Sequence, residues 1–142
     1  MLDIPVLYLS GFIMKDKAKY YGGLRAVTEA GEWEAWLEYM LEGVEHTALW
    51  TRDRIVTIKA LLDSTLDRCR SDLPKVYSKE LIELMFKKPY CRIADLVDSG
   101  IAKRQTASEY LQELERVGIL AGEKAGREQV YRNVTLLRAL AE

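Results

Sequence analysis

Between Trp33 and Leu73 apolar side chains return every three or four positions, through Leu37, Met40, Val44, Ala48, Thr51, Ile55, Ile58, Leu62, Leu66 and Cys69. That is the period of an amphipathic helix, and no proline interrupts it before Pro74. The pattern reads as one long helix, or as two with a soft joint near Gly43 or Trp50. About forty residues of unbroken helix would reach about 60 Å at 1.5 Å per residue, more than the width of a small domain. Part of the stripe therefore calls for a partner, either a second copy or another piece of the same protein.

Before this stripe, residues 1–12 read as apolar and irregular, punctuated by Pro5 and Gly11, with Ser10 as a candidate cap. A helix is expected from about Met14 to Glu29, its apolar spacing given by Tyr20, Tyr21, Leu24 and Val27. Gly22 and Gly23 weaken it by about 1 kcal/mol each relative to alanine. Such a pair often marks a close approach by another group. Ala30-Gly31 ends the helix.

Pro74 marks the expected domain boundary. Beyond it, Ser78 caps a helix that turns Leu81, Ile82, Leu84, Met85 and Phe86 inward; Lys87 and Lys88 suit its C-terminal dipole and Pro89 stops it. Tyr90-Cys91-Arg92 reads as a short strand, Ile93–Ser99 as a helix and Gly100 as a turn. Residues 103–117 give the next helix, with Ala107, Tyr110, Leu111, Leu114 and Val117 toward the core and Gly118 as its cap. Ile119-Leu120 is expected to pair with Val130-Tyr131 across a polar loop, Glu123–Glu128, before a last helix over about Thr135–Ala141. The order of these parts from Tyr90 to Tyr131 predicts a winged helix-turn-helix. The expected class is mainly α with a small β-hairpin, divided into residues 1–74 and 75–142.

Charge narrows the function classes. Residues 1–75 carry 10 Lys+Arg against 12 Asp+Glu, a net of −2; residues 76–142 carry 11 against 10, a net of +1. A dedicated DNA-binding domain is often far more basic, so any positive footprint must be local. Cys69, Cys91 and the single His46 lack metal-ligand spacing, and the thiols read as reduced groups in a cytoplasmic protein. No metal site and no catalytic residue is expected. The opening Met1-Leu2-Asp3-Ile4-Pro5 has no basic region typical of a signal peptide. No run approaches the ~20 apolar residues of a membrane span, so no membrane partner is expected.

The candidate DNA-binding residues are Lys103, Arg104, Gln105, Thr106 and Ser108 at the start of one helix, with Lys124 and Arg127 in the hairpin. Helix-turn-helix proteins present this end of the recognition helix to the major groove. There an arginine pairs bidentately with guanine and a glutamine with adenine. A hydroxyl at Thr106 or Ser108 suits a phosphate, helped by the helix dipole. Against this stand Glu109, Glu113, Glu123 and Glu128, which repel phosphate unless they are turned away or paired. A surface that binds protein, or merely packs, is the competing reading.

Two stretches resemble a known family. Pro5-Val6-Leu7-Tyr8-Leu9-Ser10, Tyr20-Tyr21 with Leu24, Gly31-Glu32-Trp33-Glu34-Ala35-Trp36-Leu37 and Leu41-Glu42-Gly43-Val44 resemble the C-terminal third of the Fic domain. Gly100–Ser108, with Tyr110-Leu111, Leu114 and Gly118-Ile119-Leu120, resembles the winged helix that follows that domain in many bacterial Fic proteins. The resemblance implies a parent protein adenylyltransferase, which transfers AMP from ATP, with Mg, to a hydroxyl of a target protein. The family's signature is a histidine, proline and phenylalanine followed by a glycine-asparagine-glycine-arginine stretch. No such stretch occurs here, and His46, between Glu45 and Thr47, does not match it.

The family's catalytic segment would come just before Pro5, so the chain is expected to be a non-catalytic C-terminal piece that holds no cofactor itself. Tyr20 and Tyr21 fall where the family's fold lines the rear of the nucleotide pocket, although aromatics at this spacing usually fill core. The expected role is a DNA-binding regulatory module of transcription. The alternative is an interaction module that positions the parent enzyme, as a homodimer through residues 33–73.

Overall fold

The computed structural model describes residues 7–126 and 128–141. The expectations placed on Pro5 and on Arg127 lie outside the described residues. The chain forms two compact units, Met1–Ile55 and Val56–Glu142. That division falls earlier than Pro74, because the last turns of the long helix lend Leu62, Leu66, Cys69 and Leu73 to the core of the second unit.

In the first unit, α1 (Leu9–Lys15) and α2 (Lys17–Ala30) precede α3 (Trp33–Asp72), whose earlier turns belong to this unit. The sequence pattern placed one helix from Met14, with irregular chain before it. Instead, α1 already covers Leu9–Lys15, and Ser10 lies inside it rather than capping it. Asp16 makes the break: its carboxylate accepts the Lys19 N–H at 2.9 Å and starts α2 anew. Gly31, at φ 71°, closes α2 in the left-handed conformation glycine favours.

The two candidate joints in α3 are not breaks, since the helix runs unbroken from Trp33 to Asp72. Gly43 is instead a packing position. A Cβ there would sit 2.7 Å from the Phe12 ring of α1 and 3.1 Å from Leu9. Gly23 plays the same part for Trp36, whose ring would lie 2.7 Å from an added Cβ, whereas Gly22 faces open space. Tyr20 packs against Trp36 with ring centroids 5.2 Å apart, and Phe12 and Trp36 both meet Tyr39. Tyr21 and Trp33 remain exposed.

The second unit holds the larger core. After α3 come α4 (Lys79–Lys87), β1 (Tyr90–Cys91), α5 (Ile93–Asp98), α6 (Arg104–Arg116), β2 (Ala121–Ala125), β3 (Glu128–Arg132) and α7 (Val134–Ala141). Ser78 caps α4 as its sequence predicts, accepting the Leu81 N–H at 3.2 Å. Leu81, Ile82 and Met85 of α4, Leu96 of α5, and Ala107, Leu111 and Leu114 of α6 are fully buried. The Arg68 guanidinium donates to the Val117 carbonyl at the end of α6, tying it to the last turns of α3.

The strands form one antiparallel sheet in the order β1-β3-β2. The expected pairing of Ile119-Leu120 with Val130-Tyr131 is not found. Those two residues are buried ahead of the strand; Gly122 pairs with Tyr131 and Glu123 with Val130. The polar stretch read as a loop is the hairpin itself. It reaches Ala125, opposite Glu128, with Gly126 at φ 65° in the turn.

Asp95 fixes the start of α5. Its carboxylate accepts the Arg92 backbone N–H at 2.7 Å and pairs with the Lys88 ammonium. The Arg92 side chain has no acceptor, so the side-chain part of a capping box is half made, while the Arg92 carbonyl accepts the Asp95 N–H at 3.0 Å. Burial pushes the Asp95 carboxyl up, but Lys88 and the Arg92 N–H outweigh it and hold the group below the usual carboxylate range. A depressed folded pKa contributes stability that is present above the unfolded value of about 3.9 and lost as pH falls through the folded one. Asp95→Asn is expected to cost about 1 kcal/mol at neutral pH. In urea titrations its difference from the parent chain should shrink as the acid limb is entered. An undiminished difference below that range would contradict the assignment.

Candidate nucleic-acid interface

The candidate surface begins where α6 begins. Lys103 takes the N-cap position with extended backbone, and its side chain offers no acceptor, so no side chain caps the first N–H groups of α6. Such a helix end favours an anion. Lys103, Arg104 and Gln105 are exposed around it, and among the described residues no ion pair engages Lys103 or Arg104. Ala107, Leu111 and Leu114 anchor α6 in the core, and its N-terminal end remains exposed.

The other candidates on α6 are less open. Gln105 donates to Glu109 at 3.3 Å, so its amide is partly engaged. Ser108 is half-buried, and its hydroxyl accepts from Gln112 at 3.3 Å. Thr106 is also half-buried. Lys103 and Arg104 therefore present the most accessible charge.

Strand alternation sorts the hairpin. Gly122 and Lys124 of β2 share a sheet face with their partners Tyr131 and Gln129 of β3. That face looks toward α6, because the Glu115 carboxylate of α6 accepts the Gly122 N–H at 3.0 Å. Lys124 is exposed on this side and no ion pair holds it among the described residues. Gln129, opposite Lys124 and also exposed, is a polar neighbour that sequence reading missed; only the true register reveals it.

Three of the four acids that argued against an anionic ligand are paired with cations; Glu109 is exposed and holds only the Gln105 amide. Glu123 and Glu128 lie on the opposite sheet face. Glu128 pairs with Arg92 at 3.1 Å. Glu123 lies 3.0 Å from the Arg132 Nε, an ionic contact without hydrogen-bond alignment, since that N–H finds no aligned acceptor. Glu113 is held by Arg116 at 2.6 Å. Lys88, Tyr90, Arg92, Asp95, Glu123 and Arg132 border a shallow cleft of about 530 Å³ on that far face. The ion pairs Lys88–Asp95, Arg92–Glu128 and Arg132–Glu123 compensate its charge.

Cys69 and Cys91 are buried in the core, and burial pushes both thiols up to about 11. They stay protonated and unreactive at neutral pH. Among the described residues no three His, Cys, Asp or Glu side chains converge to hold a metal ion. Among the described residues no helix is long and apolar enough to cross a membrane.

The class defined by these elements is a mainly helical protein with a small three-stranded antiparallel sheet. The family described as "Protein adenylyltransferase SoFic-like, C-terminal domain" matches residues 61–136, and the chain belongs to it. The matched residues open in α3 and take in α4, the sheet and the whole candidate surface. This agrees with the C-terminal Fic-family sequence that the resemblance implied.

Proposed function

We propose that residues 75–142 are a winged helix-turn-helix that binds duplex DNA, and that residues 1–74 are the C-terminal helices of a Fic domain. In this reading the chain is the non-catalytic regulatory end of a bacterial, cytoplasmic protein adenylyltransferase. ATP and Mg belong to the catalytic part of the parent enzyme. The observation that carries the proposal is the uncapped, cationic start of α6, with Lys103 and Arg104 exposed; Lys124 is exposed on the sheet face that meets Glu115 near the other end of α6. The element order and the β1-β3-β2 sheet support it. So does the pairing of Glu113, Glu123 and Glu128 with arginines, which leaves Glu109 as the acid to be turned away.

The test is anisotropy titration of the whole chain against a panel of labelled duplexes. A surface that neutralises about three phosphates loses roughly fortyfold in affinity between about 50 and 200 mM salt, at a slope of about −0.9 per phosphate. Arg104→Ala should weaken the preferred duplex roughly tenfold, the effect of one base contact. Circular dichroism should stay unchanged, since the side chain is exposed. Binding indifferent to both salt and this substitution would discard the reading. Transfer of labelled AMP to protein by this chain alone would overturn its non-catalytic part.

A second reading, an interaction module that dimerises through α3, draws on the exposure of Leu49, Trp50 and Ile55 along that helix. It expects a dimer without duplex binding. Sedimentation showing a clean monomer at high concentration would count heavily against it.

A further inference from the structure

We propose that the outer face of α2 and the early turns of α3 is a docking site for a basic amphipathic helix of a partner protein. The site lies wholly in the first unit and stands whether or not α6 binds DNA. Its apolar element is a ridge of Leu37, Leu41 and Val44, spaced four and three residues apart and 55%, 68% and 39% exposed. A row of such size on one side of a helix is characteristic of a contact surface.

Its polar element is acidic. Glu34, Glu38, Glu42 and Glu45 run beside the ridge, and the sequence has no lysine or arginine between Glu32 and Thr51. The cation that reaches this face is Lys19 of α2, 3.3 Å from Glu42. Leu37 and Leu41 of the ridge and the four carboxylates line a cleft of about 910 Å³ together with Tyr39. Tyr39 is 7% exposed, and its hydroxyl has no hydrogen-bond partner among the described residues, an unmet polar group in the wall of the cleft.

Charge complementarity selects the occupant. A helix with leucine-like residues on one stripe and lysines or arginines beside it meets ridge with ridge and carboxylate with cation. A nucleic acid is repelled by the same carboxylates. A second copy docking through this face would set one row of glutamates against another, which disfavours it.

The test titrates the full chain with two synthetic 18-residue helical peptides, monitored by calorimetry. One carries leucines at helical spacing with lysines elsewhere, and the other has the same pattern with glutamates in place of lysines. Saturable one-to-one binding is expected for the lysine peptide and none for the glutamate peptide. Glu34→Lys with Glu38→Lys should weaken binding at least tenfold, as should Leu41→Ser. Asp63→Lys with Asp67→Lys, a matched reversal at exposed positions further along α3, should leave it unchanged. Leu37→Ser serves if Leu41→Ser loses helical signal. Equal loss in the matched reversal, or no loss in the others, would overturn the proposal. So would a dimer of the chain alone that Leu41→Ser dissociates, since the second copy would then be the occupant.

Discussion

Leu111→Ala is expected to destabilise the second unit by about 3 kcal/mol, the typical loss for a buried leucine cut back to alanine. Leu111 is fully buried on the inner side of α6, in one core with Leu81 and Met85 of α4 and Leu96 of α5. Removing its isobutyl group deletes apolar burial and leaves a hole between helices, which the surrounding side chains fill only in part. For a unit of this size the melting temperature should fall by more than about 10 °C. Since Trp33, Trp36 and Trp50 all lie in the first unit, the measurement needs amide signals from α4 to α6 rather than tryptophan emission. Leu140→Ala, at a half-exposed site near the end of α7, provides the contrast and should change stability by less than about 0.5 kcal/mol. Equal effects from the two substitutions would mean that the core is misplaced.

Gly43→Leu should destabilise the first unit by about 2 kcal/mol. Two effects compete. Replacing a helical glycine returns about 1 kcal/mol of helix propensity. Against it, even the first added carbon would stand 2.7 Å from the Phe12 ring, and a leucine adds three more carbons in the same direction. The α1 helix has to move off α3. Tryptophan emission reports this unit directly. Gly22→Ala supplies a control of opposite sign: it meets nothing within 4 Å and should stabilise by about 1 kcal/mol. Phe12→Ala in the Gly43→Leu background should recover part of the loss. If Gly43→Leu and Gly22→Ala shift stability in the same direction, close packing at Gly43 is refuted.

The two glycines show where sequence reading stops. Periodicity alone located α3, α4 and α6; in α4 and α6 the apolar stripe also fixes the orientation against the core, whereas Leu37, Val44 and Ile55 of the stripe read along α3 are exposed. Arg104 is exposed because it opens α6, not because the stripe turns it outward: it lies three and seven residues before the buried Ala107 and Leu111. A glycine inside such a stripe is ambiguous: it marks either weak helix or a neighbour's approach, and only the position of Phe12 decides for the latter. The hairpin failed for a related reason. Ile119 and Leu120 are as apolar as a strand but are spent on the core, while Gly122, Glu123 and Lys124 pair despite their polarity. The one-residue precision of strand register cannot be read from so short and polar a stretch. For the candidate surface, the cationic residues were legible, whereas the neutralisation of Glu123 by Arg132 and of Glu128 by Arg92 depended on that register.

The contribution of α3 to the second core has a practical consequence for dividing the molecule. A shortened protein that started at Val76, after the obvious proline, would discard Leu62, Leu66, Cys69 and Leu73 and leave their pocket wet. It would also discard Arg68 and its hold on the Val117 carbonyl. The second unit starts at Val56, and truncations designed to isolate it should begin there.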